Sequence, residues 1–181
     1  MREKLRNEQG MTLVEMLCAV AILILLGLMM NTGLQMAMRS YRDITAQSEV
    51  QLLLSTLSDA LADDLRYARD VRTKGDGSLL SYSSDSYNSG GRATLEVGEN
   101  GQVTAGGKRV LPGGAYGNGA YVVRVMKITY ASRPDGSFFT IELEVAQAEG
   151  TISARTKFTV RCLSGPEIED AELNPGEESG G

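Results

Sequence analysis

The stretch NEQGMTLVEMLCAVAILILLGLMM, residues 7–30, is apolar almost throughout from Met11 onward, and Glu15 stands inside it. From Met11 to Met30 only Thr12, Glu15 and Gly27 interrupt the apolar residues. At helical rise such a run spans about 30 Å, the thickness of a bilayer core. A helix buried inside a protein rarely stays apolar on every side for so long. The run therefore reads as membrane-inserted. Before it, Arg2, Lys4 and Arg6 outnumber Glu3 and Glu8. That positive bias predicts a cytoplasmic N-terminus, with the rest of the chain outside the cytoplasm.

Two common segments of this kind fit poorly. A secretory signal peptide ends at a site of small residues of the A-x-A type, whereas NTGLQMAMRSYRD follows here. A lipid-modified cysteine follows its apolar run, but Cys18 precedes most of this one.

The helical pattern continues past Met30. Val50, Leu54, Leu57, Leu61, Leu65 and Ala68 recur at spacings of three and four, widened by Leu53. Gln51, Ser55, Asp59, Asp63, Arg66 and Arg69 fill the opposite face. This is an amphipathic helix with one buried stripe. The Asp63–Asp64 pair reads as part of its solvated face. No proline occurs before Pro112. One helix is therefore predicted from about Thr12 to about Val71, roughly 90 Å long, with Gly75 and Gly77 ending it.

Beyond it the pattern turns to strands. Residues 78–89 are rich in Ser and Tyr and read as loop, with room for a short strand. RATLEV and QVTAGGKRVL read as two strands joined at residues 98–101. PGGAYGNGAY, residues 112–121, reads as a flexible surface connection, since no Gly-Lys-Ser/Thr follows to make a phosphate loop. DSYNSGG lacks the third ligand position and the closing Glu of a calcium loop. Phe139, Ile141, Leu143 and Val145 alternate with Thr140, Glu142 and Glu144. Ile152, Ala154, Phe158, Val160 and Cys162 alternate with Ser153, Arg155, Lys157 and Arg161. Met126, Ile128 and Tyr130 belong to a third strand, with turn signals at residues 134–136 and 148–150.

This predicts an antiparallel meander with its apolar side on the helix. A four-residue loop at residues 147–150 pairs Val145 with Ile152 and Glu142 with Arg155. A two-residue loop near Pro134 sets Lys127 against Glu144. Parity puts Met126, Ile128 and Tyr130 on the face of Ile141 and Leu143. From residue 164 the tail holds six acidic and no basic residues, together with Pro166 and Pro175. Such a composition buries little and predicts disorder.

The fold class is thus α+β. Residues 1–10 precede a transmembrane segment at 11–30, an amphipathic continuation at 31–74, a β-rich domain at 75–163 and an acidic tail at 164–181.

The net charge of −5 gives no help to nucleic-acid binding. The chain has no His, so the commonest general base and zinc ligand are missing. No Ser or Cys stands in a nucleophile motif. A catalytic role, a cofactor and a metal site are accordingly not expected. Cys18 and Cys162 lie too far apart, and in environments too different, for a disulfide framework. Cys162 reads as a small buried apolar residue.

Here the residues resemble a known family. Gly10 followed by MTLVE and a long apolar run is similar to the processing site of prepilins, the precursors of type IV pilins and of type II secretion pseudopilins. The match joins a basic leader, Gly10, the Glu offset, the apolar run and the helix that follows. Met11 stands where that family usually has Phe. The Pro that many major pilins carry in the first helix is absent, and only Gly27 and Gly33 soften it. The resemblance covers the N-terminal third well and the remainder in general layout.

It implies that a prepilin peptidase cuts between Gly10 and Met11 and that Met11 is then methylated. It also implies that Glu15, at the fifth mature position, serves assembly. An unpaired carboxylate at membrane depth is unfavourable by about 3 kcal/mol on insertion scales, and such residues tend to be paired and functional. The free amine of Met11, four residues away on the same helix face, supplies the partner from a neighbouring subunit or from the same one.

The implied protein is a structural subunit of a type IV pilus-like filament or a secretion pseudopilus. LSDALADDLRYARDV resembles the corresponding segment of minor subunits. Implied partners are other pilin or pseudopilin subunits, the prepilin peptidase and, indirectly, an assembly ATPase and a platform protein. The subunit would first sit in the cytoplasmic membrane with its β domain outside. The alternative is a monomeric membrane-anchored adhesin or sensor, which needs neither Gly10 nor Glu15.

Overall fold

The structure, a computed structural model, describes residues 12–164. Gly10, Met11 and the acidic tail beyond Ser164 lie outside the described residues. The chain divides into two compact units, Met1–Ile44 and Thr45–Gly181.

Helix α1 runs over Leu13–Arg66. In the first unit its side chains face outward all round: Leu17, Ile24 and Leu25 are each more than half exposed. The helix is long and apolar enough to cross a membrane. In the second unit one stripe is buried, formed by Ala46, Val50, Leu53, Leu54, Leu57, Leu61 and Leu65. That is the stripe expected from the spacing of three and four.

The helix ends earlier than its periodicity predicts. Residues Arg69–Thr73 form strand β1, so the expected continuation to residue 74 is corrected. The last turn tightens first, with the Tyr67 and Ala68 amides donating to the Asp64 and Leu65 carbonyls at 3.3 Å. The free carbonyls at the helix end then find partners on a distant strand. Arg66 O accepts from the Leu163 amide at 2.8 Å, Tyr67 O from Ser164 Oγ and Ala68 O from Cys162 Sγ. These bonds satisfy groups a helix terminus leaves open. Ala68 and Val71 are buried and continue the apolar spacing of the stripe, which is why spacing alone extends the helix.

Strand β1 pairs with β2 (Leu79–Ser83), which pairs with β3 (Arg92–Ala93). A short helix α2 (Asp85–Asn88) lies between β2 and β3. The short strand for which the Ser/Tyr-rich segment has room is β2, and the helical turn α2 comes in addition. A second sheet holds β4 (Leu95–Val97), β5 (Val103–Ala105) and β6 (Lys108–Arg109). The turn at residues 98–101 is as expected. QVTAGGKRVL, however, is a hairpin rather than one strand. Gly106 and Gly107 have φ of 56° and 81°, left-handed values that reverse the chain.

Residues Gly113–Gly119 form an irregular 3-10 turn. The expectation of a flexible surface connection is corrected here, because Tyr116 is fully buried. Its hydroxyl accepts from the Val103 amide at 3.1 Å, tying the glycine-rich segment to β5.

The third sheet is the predicted meander: β7 (Tyr121–Arg133), β8 (Gly136–Gln147) and β9 (Ser153–Cys162), in that order. Its parity is as expected, with Ile141 buried and Glu142 on the other face. The register differs by two residues at each hairpin. Arg133 pairs with Gly136, so Pro134 and Asp135 make the turn and Lys127 faces Glu142 rather than Glu144. The Gln147 amide bonds Ile152 O, so the second turn sits one residue later than expected. Glu142 then faces Lys157, Glu144 faces Arg155 and Val145 faces Ala154. Burial fixes the parity, but the turn residues fix the register.

A bulge at Arg124 shifts the β7 register between Val123 and Val125. It lets Tyr121 and Val123 on one side, and Ile128 on the other, point into the same core. That core unites the α1 stripe with Tyr82, Val103, Tyr116, Phe139, Ile141, Leu143 and Val145.

Candidate functional site

Of the three residues singled out for processing and assembly, Glu15 is the one among the described residues. It lies in the first turn of α1 and is exposed. Its amide donates to Thr12 Oγ1 at 3.3 Å and to Thr12 O at 3.0 Å. Thr12 thereby caps the helix in the geometry of T-x-x-E, the spacing of a capping box. The signal is local: Thr12 and Glu15 stand three residues apart at the start of the apolar run. Glu15 therefore sits where the positive end of the helix dipole favours a carboxylate. Cys18, one turn further, is also exposed.

The second unit contains a polar cluster that the sequence reading missed. Asp63 is exposed, but Asp64 is buried to 5 % exposure, so the reading of both as solvated is corrected for Asp64. Its carboxylate accepts from Tyr82 Oη at 2.5 Å and from Ser84 Oγ at 2.6 Å. Burial first, and the hydrogen bond to Asp64 second, push the Tyr82 hydroxyl well above its ordinary range. Ser84 Oγ also accepts from the Tyr87 amide at 3.1 Å, capping α2. One carboxylate thus joins α1, β2 and α2. The missed signal is positional: residue 64 falls beside Leu61 and Leu65, on the edge of the buried stripe.

Asp85, in the segment compared with a calcium loop, has its carboxylate gripped by Arg69 Nη2 at 2.5 and 2.6 Å. Cys162 is buried, as expected from its strand position, and burial raises its thiol pKa. Tyr121 is pushed up to about 12 by a hydrogen bond to Glu49 and then by burial. Among the described residues, no group of His, Cys, Asp and Glu stands together in a form able to hold a metal ion.

A family model described as the prokaryotic N-terminal methylation motif matches residues 5–31. No curated protein and no solved structure matches the chain. The matched residues contain Gly10, Met11 and Glu15, and they run into the apolar half of α1. The chain carries a prepilin-type N-terminal methylation motif on a long apolar helix followed by antiparallel sheets, a layout consistent with a type IV pilin or pseudopilin.

Proposed function

We propose that the chain is a structural, minor subunit of a type IV pilus-like filament or of a type II secretion pseudopilus. One observation carries this reading: the methylation motif at residues 5–31 continues into a helix whose first half exposes apolar side chains on every side. In the membrane those side chains meet lipid. In a fibre they meet the same helix of neighbouring subunits. Either environment keeps them from water, so moving between the two is not opposed by the hydrophobic effect. The assignment as a minor subunit rests on LSDALADDLRYARDV and its resemblance to that segment of minor subunits.

In this reading the prepilin peptidase removes residues 1–10, Met11 is methylated, and the β domain stands outside the cytoplasm. An assembly ATPase, working through a platform protein, then draws the subunit into the fibre. Function lies in assembly and surface display, and no catalytic step is assigned. Glu15 pairs with the N-terminal amine of a neighbouring subunit.

Mass spectrometry of the membrane-extracted protein tests the processing step. An N-methylated Met11 is expected. An intact Met1, or a terminus beyond residue 30, refutes the reading. Glu15→Val separates assembly from mere anchoring. It should reach the membrane at least as well as the parent, since a costly carboxylate is gone, but it should be missing from sheared surface fibres. Normal recovery in sheared fibres would show that assembly does not need the Glu15 carboxylate.

A further inference from the structure

Strand β9 closes the third sheet on the side away from β7, and among the described residues no strand pairs with its outer edge. The opposite edge of the sheet is partly covered, since the β7 amides of Val123 and Tyr130 donate to Gly101 O and Gly77 O. The register decides which groups of β9 face outward. The Gln147 amide bonds Ile152 O, and bonded pairs alternate along an antiparallel ladder. Ala154, Thr156, Phe158, Val160 and Cys162 therefore bond β8. Ser153, Arg155, Lys157, Thr159 and Arg161 turn their N–H and C=O groups away from it. The next residue of that series, Leu163, already uses its amide in this way, donating to Arg66 O.

The side chains of the same five residues stand on the outward face, and all are exposed. Rows of directly paired residues end on them in a cation: Glu144–Arg155, Lys127–Glu142–Lys157 and Phe138–Arg161. Glu144 is ion-paired with Arg155 at 3.0 Å and Glu142 with Lys157 at 2.6 Å. In those two rows the sign of charge alternates toward the edge and stops at a positive one. On the inward face Ala154 and Phe158 pack against the core but are only half-buried. The edge thus presents unpaired backbone groups, three cations on one face and incompletely covered apolar surface on the other.

A second copy of β9 does not suit it. Laid antiparallel, that copy brings Lys157 onto Lys157, Arg155 onto Arg161 or Arg155 onto Lys157, according to register. Like charges directly opposite are destabilising, which is how charged edges resist self-pairing. A strand with acidic residues at alternate positions meets the same cations favourably.

We propose that residues 153–161 bind, as an added strand, an extended segment of a partner protein that is acidic at alternate positions and apolar between them. Main-chain hydrogen bonds hold the segment. Its carboxylates face Arg155, Lys157 and Arg161, and its apolar side chains cover Ala154 and Phe158. The edge belongs to the second unit, so this contact goes beyond assembly through the apolar half of α1 and does not rest on it.

The probe is a fluorescent peptide as long as residues 153–161. It carries glutamate opposite Arg155, Lys157 and Arg161, threonine opposite Ser153 and Thr159, and valine between. Fluorescence anisotropy reads its binding to the full-length chain in detergent micelles, and amide hydrogen exchange reads the site. The peptide should bind and slow exchange of the Arg155, Lys157, Thr159 and Arg161 amides at least about ten-fold. The amides of Thr156 and Phe158, already bonded to β8, should change little. A peptide with lysine in place of glutamate should bind at least about ten-fold more weakly. Thr159→Pro keeps every charge and removes one outward N–H, at an edge position where proline is tolerated, and should weaken binding at least about ten-fold. Arg155→Gln/Lys157→Gln keeps the backbone and should weaken it as well. Near-ultraviolet circular dichroism identifies any variant that fails to fold. A folded parent chain that does not bind the glutamate peptide would overturn the proposal. So would parent-level binding by either folded variant. Protection of the outward amides without peptide, lost on dilution, would place a second copy on the edge and overturn it too.

Discussion

Removing the Asp64 carboxylate should be among the most damaging single changes to the β unit, although a sequence reading would place it on a solvated face. In Asp64→Ala, the hydroxyls of Tyr82 and Ser84 lose the acceptor they share. Tyr82 is fully buried and Ser84 is 1 % exposed, so water does not replace it readily. An unsatisfied buried donor costs about 1–3 kcal/mol. Two of them, with some relaxation, give an expected loss of about 2–4 kcal/mol. Tyr82→Phe removes one donor and leaves the carboxylate with Ser84 alone, a loss of about 1.5–3 kcal/mol for a hydrogen bond to a charged group. The double variant Asp64→Ala/Tyr82→Phe no longer has an orphaned Tyr82 hydroxyl. It should therefore lose about 1–3 kcal/mol less than the two single losses added together. Urea unfolding of the full-length chain in micelles, followed by near-ultraviolet dichroism of its tyrosines, measures all three. An Asp64→Ala loss below about 1 kcal/mol, or strict additivity in the cycle, would refute the claim that this carboxylate ties α1 to β2 and α2.

Two other consequences can be measured on the same preparation. The pKa values of Tyr82, Tyr116 and Tyr121 are raised in the folded state, Tyr121 to about 12. A raised pKa adds stability that is complete below the unfolded value, near 10, and is lost above it as the unfolded tyrosines ionise. Stability should thus be level below that pH and fall above it by up to about 1.4 kcal/mol per pH unit for each such group, and a flat profile from pH 9 to 12 would contradict this. Gly101 has φ of 69°, and a Cβ there would lie 2.5 Å from Val122 Cβ, whereas Gly107 at 81° has open space around it. Gly107→Ala should cost about 1–2 kcal/mol for its backbone alone, and Gly101→Ala about 1–3 kcal/mol more for the clash. Equal losses in denaturant would show that the strand pair relaxes around residue 101.

Layout and the faces of elements were legible in the sequence, because period and burial leave a direct mark on it. The α1 stripe and the alternation of Phe139, Ile141, Leu143 and Val145 are both of this kind. What escaped depended on single contacts between distant segments. The end of α1 is set by Leu163, Cys162 and Ser164 bonding its last carbonyls, and no local pattern near Arg66 encodes that. The register of the third sheet turns on which residues of RPDGS and of QAEGTI make the turns, a choice worth two positions that parity cannot see. Tyr116 looked like loop because glycines surround it, yet its ring fills the core. Asp64 looked solvated because its neighbour is. In the candidate site, the Gly10–Met11–Glu15 spacing was readable from the start, and the structure adds the Thr12 cap.

That cap raises a rival account of Glu15, and a variant that removes the charge decides between them. T-x-x-E at a helix start stabilises the helix whether or not another subunit is present. A carboxylate near the positive end of a helix dipole contributes about 0.3–1 kcal/mol. Thr12 already accepts from the Glu15 amide, and that bond requires only the backbone of residue 15. A carboxylate at the helix centre costs about 3 kcal/mol on insertion scales. Glu15, however, lies in the first turn of α1, where the cost is lower, so the charge of the residue and not its burial has to be tested. Glu15→Gln separates the accounts, since Gln serves a capping box as well as Glu does but brings no charge. If Glu15 acts through the cap, Glu15→Gln should appear in sheared fibres at the parent level and Glu15→Val should not. If it acts by pairing with a neighbouring amine, both variants should enter the membrane and both should be lost from the fibres. A normal yield of fibres containing Glu15→Gln would refute the pairing account and leave the residue as a helix cap.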